Sequence, residues 1–295
     1  MAQLHVGLVG CGRIAERGYG PALARAEGVA LAAVADPAPE RCERVAPGVP
    51  SFRSAAELLA AGAADALVLA TPAAAHLPDA RLAAEAGVAV LIEKPPAASA
   101  EEAAELAALD PSPRIGFNRR FEPACAALRN AGRRASQLEL SFDLRARRRS
   151  WLPYEVDDDV LMDLGPHLVD LAVWISGTEV ELVDAHLYGG SATLELRLGE
   201  RGVARISCGE GPYRERLEVR AGEKTLARYE RGGLRAAVGA IVLRRESPLI
   251  PSLAAQLESF ARAVAGGVEP DLATAADGMR VMRVLATARR LAERT

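Results

Sequence analysis

Three features of the chain predict an α/β fold in two domains. Over the first ~118 residues, short apolar runs alternate with amphipathic, Ala-rich stretches. After about Arg120 the rhythm changes to alternating strand-like runs separated by Gly-rich turns. The length of 295 residues suits two domains at a usual size of roughly 100–200 residues each. Strand–helix alternation implies parallel pairing with right-handed crossovers, and the later runs read as an antiparallel meander. The boundary falls at 118/119, separating 1–118 from 119–295.

Each element has a local reason. Leu4–Val9 is a near-continuous apolar run ahead of glycines and reads as a strand, followed by a helix over Arg13–Ala26 and a strand over Val29–Ala35. Ser54 opens a Ser-x-x-Glu capping box for a short helix, and Ser99-Ala-Glu-Glu opens another. Between them come a strand at Asp65–Ala70, a helix over Ala74–Ala86 stopped by Gly87, and a strand at Val88–Ile92, with a further strand at Arg114–Phe117. In the second part Gln137–Arg145 alternates as an antiparallel strand does, and Val160–Ser176 reads as a helix. The strand-like runs Val180–Tyr188, Ala192–Leu198, Val203–Cys208, Arg216–Arg220 and Lys224–Tyr229 follow, and helices over Leu253–Ala265 and Thr274–Glu293 close the chain.

Composition excludes several classes. Hydrophobic residues make up 50% of the chain, enough for real cores, while the net charge of −3 gives no reason to expect nucleic acid or an anionic membrane. No apolar run approaches the ~20 residues of a membrane span, and Met1–His5 lacks the basic and apolar regions of a secretory signal. Cys11, Cys42, Cys125 and Cys208 are far apart and never in a C-x-x-C pair, which argues against zinc and against a disulfide framework, and for a reduced cytoplasm. The run of Arg145, Arg147, Arg148 and Arg149 beside Trp151 lacks the interleaved aromatics of a nucleic-acid site and reads as a solvated strand end or subunit contact, with a phosphate-bearing substrate as the alternative.

Gly10-Cys11-Gly12-Arg13-Ile14-Ala15 joins the first strand to the first helix in the pattern G-x-G-x-x-G/A. Gly10 permits the tight turn, Gly12 lets a pyrophosphate approach the backbone, and Ala15 lets helix pack on strand. The helix start, at Arg13 and Ile14, offers N–H groups to phosphate. A bare strand-to-helix turn is the other reading of this loop, and its strand–helix–strand setting favours the dinucleotide-binding, or Rossmann, one. Asp36 ends the second strand, where a carboxylate accepts from ribose hydroxyls and repels a 2′-phosphate. With Pro37 next and no adjacent Arg, NAD is expected over NADP.

Two further segments carry chemistry. Glu93-Lys94-Pro95 follows a strand at the carboxyl edge of the sheet, where such folds bind ligands. An ammonium there can polarise a carbonyl or stabilise an alkoxide, although read alone Lys94 is equally a solvated loop residue. Asp163 and His167 are four apart, on one helical face. Gly165 and Pro166 suit a helix start, placing Asp163 near the first turn. Histidine is the natural proton acceptor near neutrality, and a neighbouring carboxylate can orient it; a capping Asp beside a packed His is the alternative. Asp157, Asp158 and Asp159, just upstream, read as facing water, with contact to a cationic or polyhydroxy substrate as the alternative.

Taken together, Val6–Ala15, Asp36-Pro37, Thr71-Pro72 with His76, Glu93-Lys94-Pro95, Gly116–Phe121 and Leu161–Asp170 resemble the Gfo/Idh/MocA oxidoreductases, and they come in that family's order. Gln256 with Phe260 and Asp277-Gly278 are similar less specifically. The resemblance implies a Rossmann domain followed by an α+β domain on a large, open, mostly antiparallel sheet. It implies that Lys94, Asp163 and His167 meet over the nicotinamide, with His167 exchanging the hydroxyl proton, Lys94 holding the reacting oxygen and Asp163 supporting both. It puts Thr71, Pro72, His76 and Glu93 on the cofactor side, and Asn118, Arg119 and Arg120 near the substrate cleft. The chain departs from the family at Ala73, where Asn is common, and in the acidic stretch 157–159. The expected activity is an NAD-dependent oxidoreductase acting on a secondary alcohol or ketone of a sugar, cyclitol or similar polyol. A non-catalytic dinucleotide sensor is the alternative. Assembly as a homodimer or homotetramer through the C-terminal sheet is expected by resemblance, and no metal is expected.

Overall fold

A computed structural model of the chain describes residues 3–146, 159–232 and 248–293. Arg147, Arg148, Arg149, Trp151, Asp157 and Asp158 lie outside the described residues. The chain divides into two compact units, one formed by Met1–Phe121 with Pro248–Met282, the other by Glu122–Ser247 with Arg283–Thr295.

The first unit is built on a parallel sheet of β1 (Leu4–Val9), β2 (Val29–Ala35), β3 (Ser51–Phe52), β4 (Ala66–Leu69), β5 (Ala89–Glu93) and β6 (Arg114–Gly116), in the order β3-β2-β1-β4-β5-β6. β4 is wholly buried and β5 nearly so, as expected of central parallel strands covered on both faces. A π-helical stretch, Ala15–Tyr19, runs into the short α1 (Gly20–Leu23). α2 (Pro39–Val45), α3 (Ala55–Ala60), α4 (Ala73–Glu85) and α5 (Ala100–Ala107) follow. The Ser54 and Ser99 hydroxyls accept from the backbone N–H of Glu57 and Glu102, so both predicted caps form. Among the elements that escaped the sequence reading, β3 has just two residues, α2 has a mostly polar sequence opened by Pro39, and the helix Pro123–Arg133 lies in the second unit.

The second unit opens with α6 (Pro123–Arg133), β7 (Leu138–Ala146) and α7 (Val160–Ser176). Strands β8 (Glu181–Tyr188), β9 (Ser191–Arg197), β10 (Gly202–Glu210), β11 (Arg214–Ala221) and β12 (Lys224–Gly232) complete a sheet ordered β12-β11-β7-β10-β9-β8. β10 runs parallel to β7 and every other pair is antiparallel, so the sheet is mixed but mostly antiparallel. Along β7, Leu138, Leu140, Phe142 and Leu144 are buried, while Glu139, Ser141, Asp143 and Arg145 alternate on the other face. Ion pairs such as Arg205–Glu195 and Arg216–Glu230 cross that outer face. Arg201 donates to the carbonyls of Ser176, Gly132 and Ala135, closing the C-terminal ends of α7 and α6.

The C-terminal helices are α8 (Leu249–Val264) and α9 (Ala275–Ala292). α8 belongs to the first unit, unlike the simple division at 118/119. Leu253, Leu257 and Phe260, spaced as one helical stripe, are buried in the same core as Val6, Leu8, Tyr19, Leu23 and Val29. Gly18 makes room for this contact, since a Cβ there would lie 2.8 Å from Leu253 Cδ1.

Candidate dinucleotide site and Asp–His helix

The phosphate loop has the geometry its glycines demand. Gly10 adopts φ +90°, and a Cβ on it would lie 2.7 Å from the carbonyl of Ala70, so the position excludes any side chain. Around Gly12 the situation is reversed: a Cβ there would meet nothing within 4 Å. Nothing in the protein requires that glycine, whereas a ligand approaching the backbone does. The first intrahelical bond runs from Glu16 N to Gly12 O at 2.9 Å, so the backbone amides of the first turn point toward the end of the helix that follows the loop. Ala15, in the third slot, is fully buried, and Ile14 packs on the core.

Asp36 ends β2 as a buried carboxylate. Its Oδ2 accepts from Cys11 N and its Oδ1 from Ala38 N, both at 2.9 Å, tying it to the phosphate loop. One expectation changes here. Arg41, on the first helical turn after Asp36, brings its guanidinium within 3.9 Å of Asp36 Oδ1, so the absence of an adjacent arginine in sequence does not hold in space. α2, the missed helix, is what turns Arg41 back.

At the end of β4, Thr71 has a buried Oγ1 with no hydrogen-bond partner. An orphaned hydroxyl on the residue that adjoins Gly10 fits a bound dinucleotide. His76, on α4, is occupied differently from the expected contact with cofactor. It is 1% exposed; Nε2 faces Thr71 O at 2.8 Å, and Nδ1 faces Pro95 O at 3.1 Å and Pro96 O at 3.2 Å. It is a strut between the loops after β4 and β5. Burial holds its pKa down to about 4, against the opposing pull of these carbonyls.

Glu93 is also turned inward. Its Oε1 accepts from the Tyr19 hydroxyl at 2.8 Å and its Oε2 from Lys94 N at 2.8 Å. Burial pushes the Glu93 carboxyl above its usual range, while the Lys94 charge and these two donors pull it back. Lys94, next in the chain, is half-buried at the carboxyl edge of the sheet.

Asn118, Arg119 and Arg120, in the short 3₁₀ turn Asn118–Phe121, are all buried. Asn118 Nδ2 donates to Ser252 Oγ at 2.8 Å, and Arg120 pairs with Asp277 at 3.4 Å. The Gln256 amide oxygen, suitably oriented, accepts from Phe117 N and Asn118 N. These side chains anchor the segment to α8 and α9. The Gln256 and Asp277 signals noted in the sequence acquire this structural meaning.

In the second unit, α7 spans the predicted residues. Asp159 is its N-cap, accepting from Met162 N at 2.9 Å and pairing with Arg289, so it does not simply face water. Gly165 and Pro166 lie in the second turn, inside the helix, rather than at its start. Gly165 is close-packed: a Cβ would sit 3.1 Å from Leu285 Cδ2. Asp163 and His167 are the two residues of the seventeen in α7 that are not buried. A carboxylate and an imidazole one turn apart on an otherwise buried helix can orient and transfer a proton.

Elsewhere, Cys11 and Cys42 bring their sulfurs to 3.8 Å as buried thiols. Burial raises both thiol pKa values, most for Cys11, to which the neighbouring Cys42 adds. Among the described residues no group of three or more His, Cys, Asp or Glu is placed to hold a metal, and no helix is long and apolar enough to cross a membrane.

Residues 4–112 match the model of an oxidoreductase family with an NAD-binding Rossmann fold, Gfo/Idh/MocA. An inositol 2-dehydrogenase of Saccharopolyspora erythraea is 33% identical over 192 residues, 61% of this chain and 56% of that protein. A UDP-N-acetylglucosamine 3-dehydrogenase of Acidithiobacillus ferrooxidans is 36% identical over 172 residues, 56% of this chain and 52% of that one. The chain thus spans little more than half the length of these curated relatives. A solved structure of the Acidithiobacillus ferrooxidans UDP-N-acetylglucosamine 3-dehydrogenase superposes with a TM-score of 0.77 at 26% identity, covering 100% of this chain and 99% of that one.

Proposed function

We propose that the chain, whose residues 4–112 match the Gfo/Idh/MocA oxidoreductase family, is an NAD-dependent dehydrogenase acting on a secondary alcohol of a sugar, cyclitol or nucleotide sugar. The observation that carries the proposal is the pattern of exposure on α7, where Asp163 and His167 alone escape burial. The phosphate loop, the orphaned Thr71 hydroxyl and the Asp36 carboxylate form the cofactor half of the reading. NAD, when bound, supplies the hydride acceptor.

The chain's own residues do the rest. Gly10 and Gly12 keep the loop close to the pyrophosphate, and the first-turn amides face its charge. Asp36 receives the ribose hydroxyls and disfavours a 2′-phosphate, a discrimination that Arg41 weakens. Lys94 holds the substrate oxygen and stabilises negative charge developing on it. His167 takes the hydroxyl proton, and Asp163 orients the imidazole. In this scheme Glu93, His76, Asn118 and Arg120 position the site without touching substrate. The named substrates of the relatives, inositol and UDP-N-acetylglucosamine, set the class of polyol to test.

The same reading includes residence in the cytoplasm, consistent with four free thiols, and assembly as a homodimer or homotetramer through the charged outer face of the second sheet. Light scattering of the purified protein measures that assembly. The function is tested by following nicotinamide reduction at 340 nm across a panel of cyclitols, sugars and nucleotide sugars. Lys94→Ala and His167→Ala are each expected to lower turnover by at least ~100-fold with NAD affinity nearly unchanged. Parental turnover in either variant refutes the assignment.

A further inference from the structure

Lys94 is one of just two lysines in the chain, against 34 arginines, the other being Lys224. An ammonium on a flexible stem is useful in a site only if something fixes its origin. Pro95 restricts the backbone after it, and Glu93 acts before it. The Glu93 carboxylate grips Lys94 N at 2.8 Å, and its other oxygen is held by the Tyr19 hydroxyl, also at 2.8 Å. Tyr19 is completely buried and lies at the end of the π-helical stretch that the phosphate loop opens. As the last residue of that stretch, Tyr19 reaches across to Glu93 at the end of β5.

We propose that Tyr19 is a positioning residue for Lys94: its hydroxyl fixes Glu93, and Glu93 fixes the backbone from which the lysine side chain starts. The chain of contacts links the helix that carries the pyrophosphate-binding amides to the residue that holds the substrate oxygen. It rests on the functional reading of Lys94 given above. The hydroxyl has no other role visible in the packing, because the ring alone would fill the core.

The presence of two lysines makes the test direct. The full-length protein is labelled with trace acetic anhydride, and the modification of Lys94 relative to the exposed Lys224 is read by mass spectrometry. In Tyr19→Phe, which keeps the ring, the Lys94/Lys224 ratio is expected to change at least about threefold, as fits loss of a hydrogen bond to a charged group. With a substrate in hand, kcat is expected to fall about tenfold while the Kd for NAD stays within twofold. Glu93→Gln is expected to move both readouts in the same direction, and the double variant to be no worse than the worse single one. A parental labelling ratio in Tyr19→Phe overturns the proposal, including when the variant merely melts at a lower temperature. Turnover persisting in Lys94→Ala overturns instead the reading of the lysine beneath it.

Discussion

Gly10 and Gly12 stand two residues apart in one loop, yet alanine should do different damage at each. At Gly10 the backbone has φ +90°, and the new Cβ would lie 2.7 Å from the Ala70 carbonyl carbon and oxygen and 2.8 Å from Thr71 N. The left-handed conformation costs an L-residue roughly 1–2 kcal/mol. Contact with backbone, which cannot rotate away, adds roughly 1–3 kcal/mol. The sum is roughly 2–5 kcal/mol, which in a unit of this size lowers Tm by roughly 5–15 °C. At Gly12 nothing lies within 4 Å of the new Cβ, so stability should change by less than about 0.5 kcal/mol. The methyl would instead occupy the approach of the pyrophosphate and weaken NAD binding about tenfold or more. Thermal unfolding by circular dichroism and calorimetric NAD titration separate the two effects. If Gly12→Ala binds NAD like the parent, or melts as far below it as Gly10→Ala does, the assignment of the loop is refuted.

Other substitutions probe the remaining contacts. Asp36→Ala should weaken NAD more than NADP, because it removes the acceptor for the ribose hydroxyls together with the charge that repels a 2′-phosphate, with the Arg41 guanidinium nearby; equal weakening in parallel titrations would remove Asp36 from cofactor choice. The buried His76 makes stability pH-dependent. With its folded pKa near 4 against an ordinary 6.5, the unfolded chain takes up a proton between those values that the folded one refuses. Stability therefore falls on acidification from about pH 6.5 to 4, by up to ~3 kcal/mol. Asp79, whose carboxyl is raised to about 6 by burial, pulls the opposite way over pH 6 to 3.8, so the effect is read as parent minus His76→Gln in urea melts across that range. A difference that does not vary with pH would exclude the imidazole as its source. Leu257→Ala, at a fully buried position on α8, should cost roughly 2–5 kcal/mol; a midpoint in denaturant equal to the parent's would show that α8 is dispensable to the first unit.

What the sequence disclosed follows from where its signals are local. Leu4–Val9, the glycine loop, the two serine caps and the limits of α7 each depend on neighbours a few residues away. Asp36, Lys94, Asp163 and His167 stood out as candidates because each sits at an element end or face with a known physical use. What was hidden depends on pairings distant in the chain. Tyr19 reaches Glu93 across 74 residues, and Asn118 reaches Ser252 across 134. His76 looked like a cofactor residue because its motif places it near one, yet three carbonyls claim its ring. Arg41 was unseen because α2 is short and mostly polar, so its backward turn left no periodicity to read. Asp159 was taken for a solvated acid, although an Asp immediately before an apolar helix is also a capping signal.

The interleaving of the first unit has a consequence for how the protein is made. The strands of its parallel sheet leave the ribosome first, but the stripe of Leu253, Leu257 and Phe260 that seals the core emerges more than 130 residues later. Until then the nascent Val6, Leu8 and Tyr19 have an unfinished cover, and an isolated 1–118 fragment would keep that defect permanently. Truncation at the apparent boundary should thus yield an aggregation-prone product, whereas a permuted gene that joins 248–282 directly to 1–121 would supply the missing wall early.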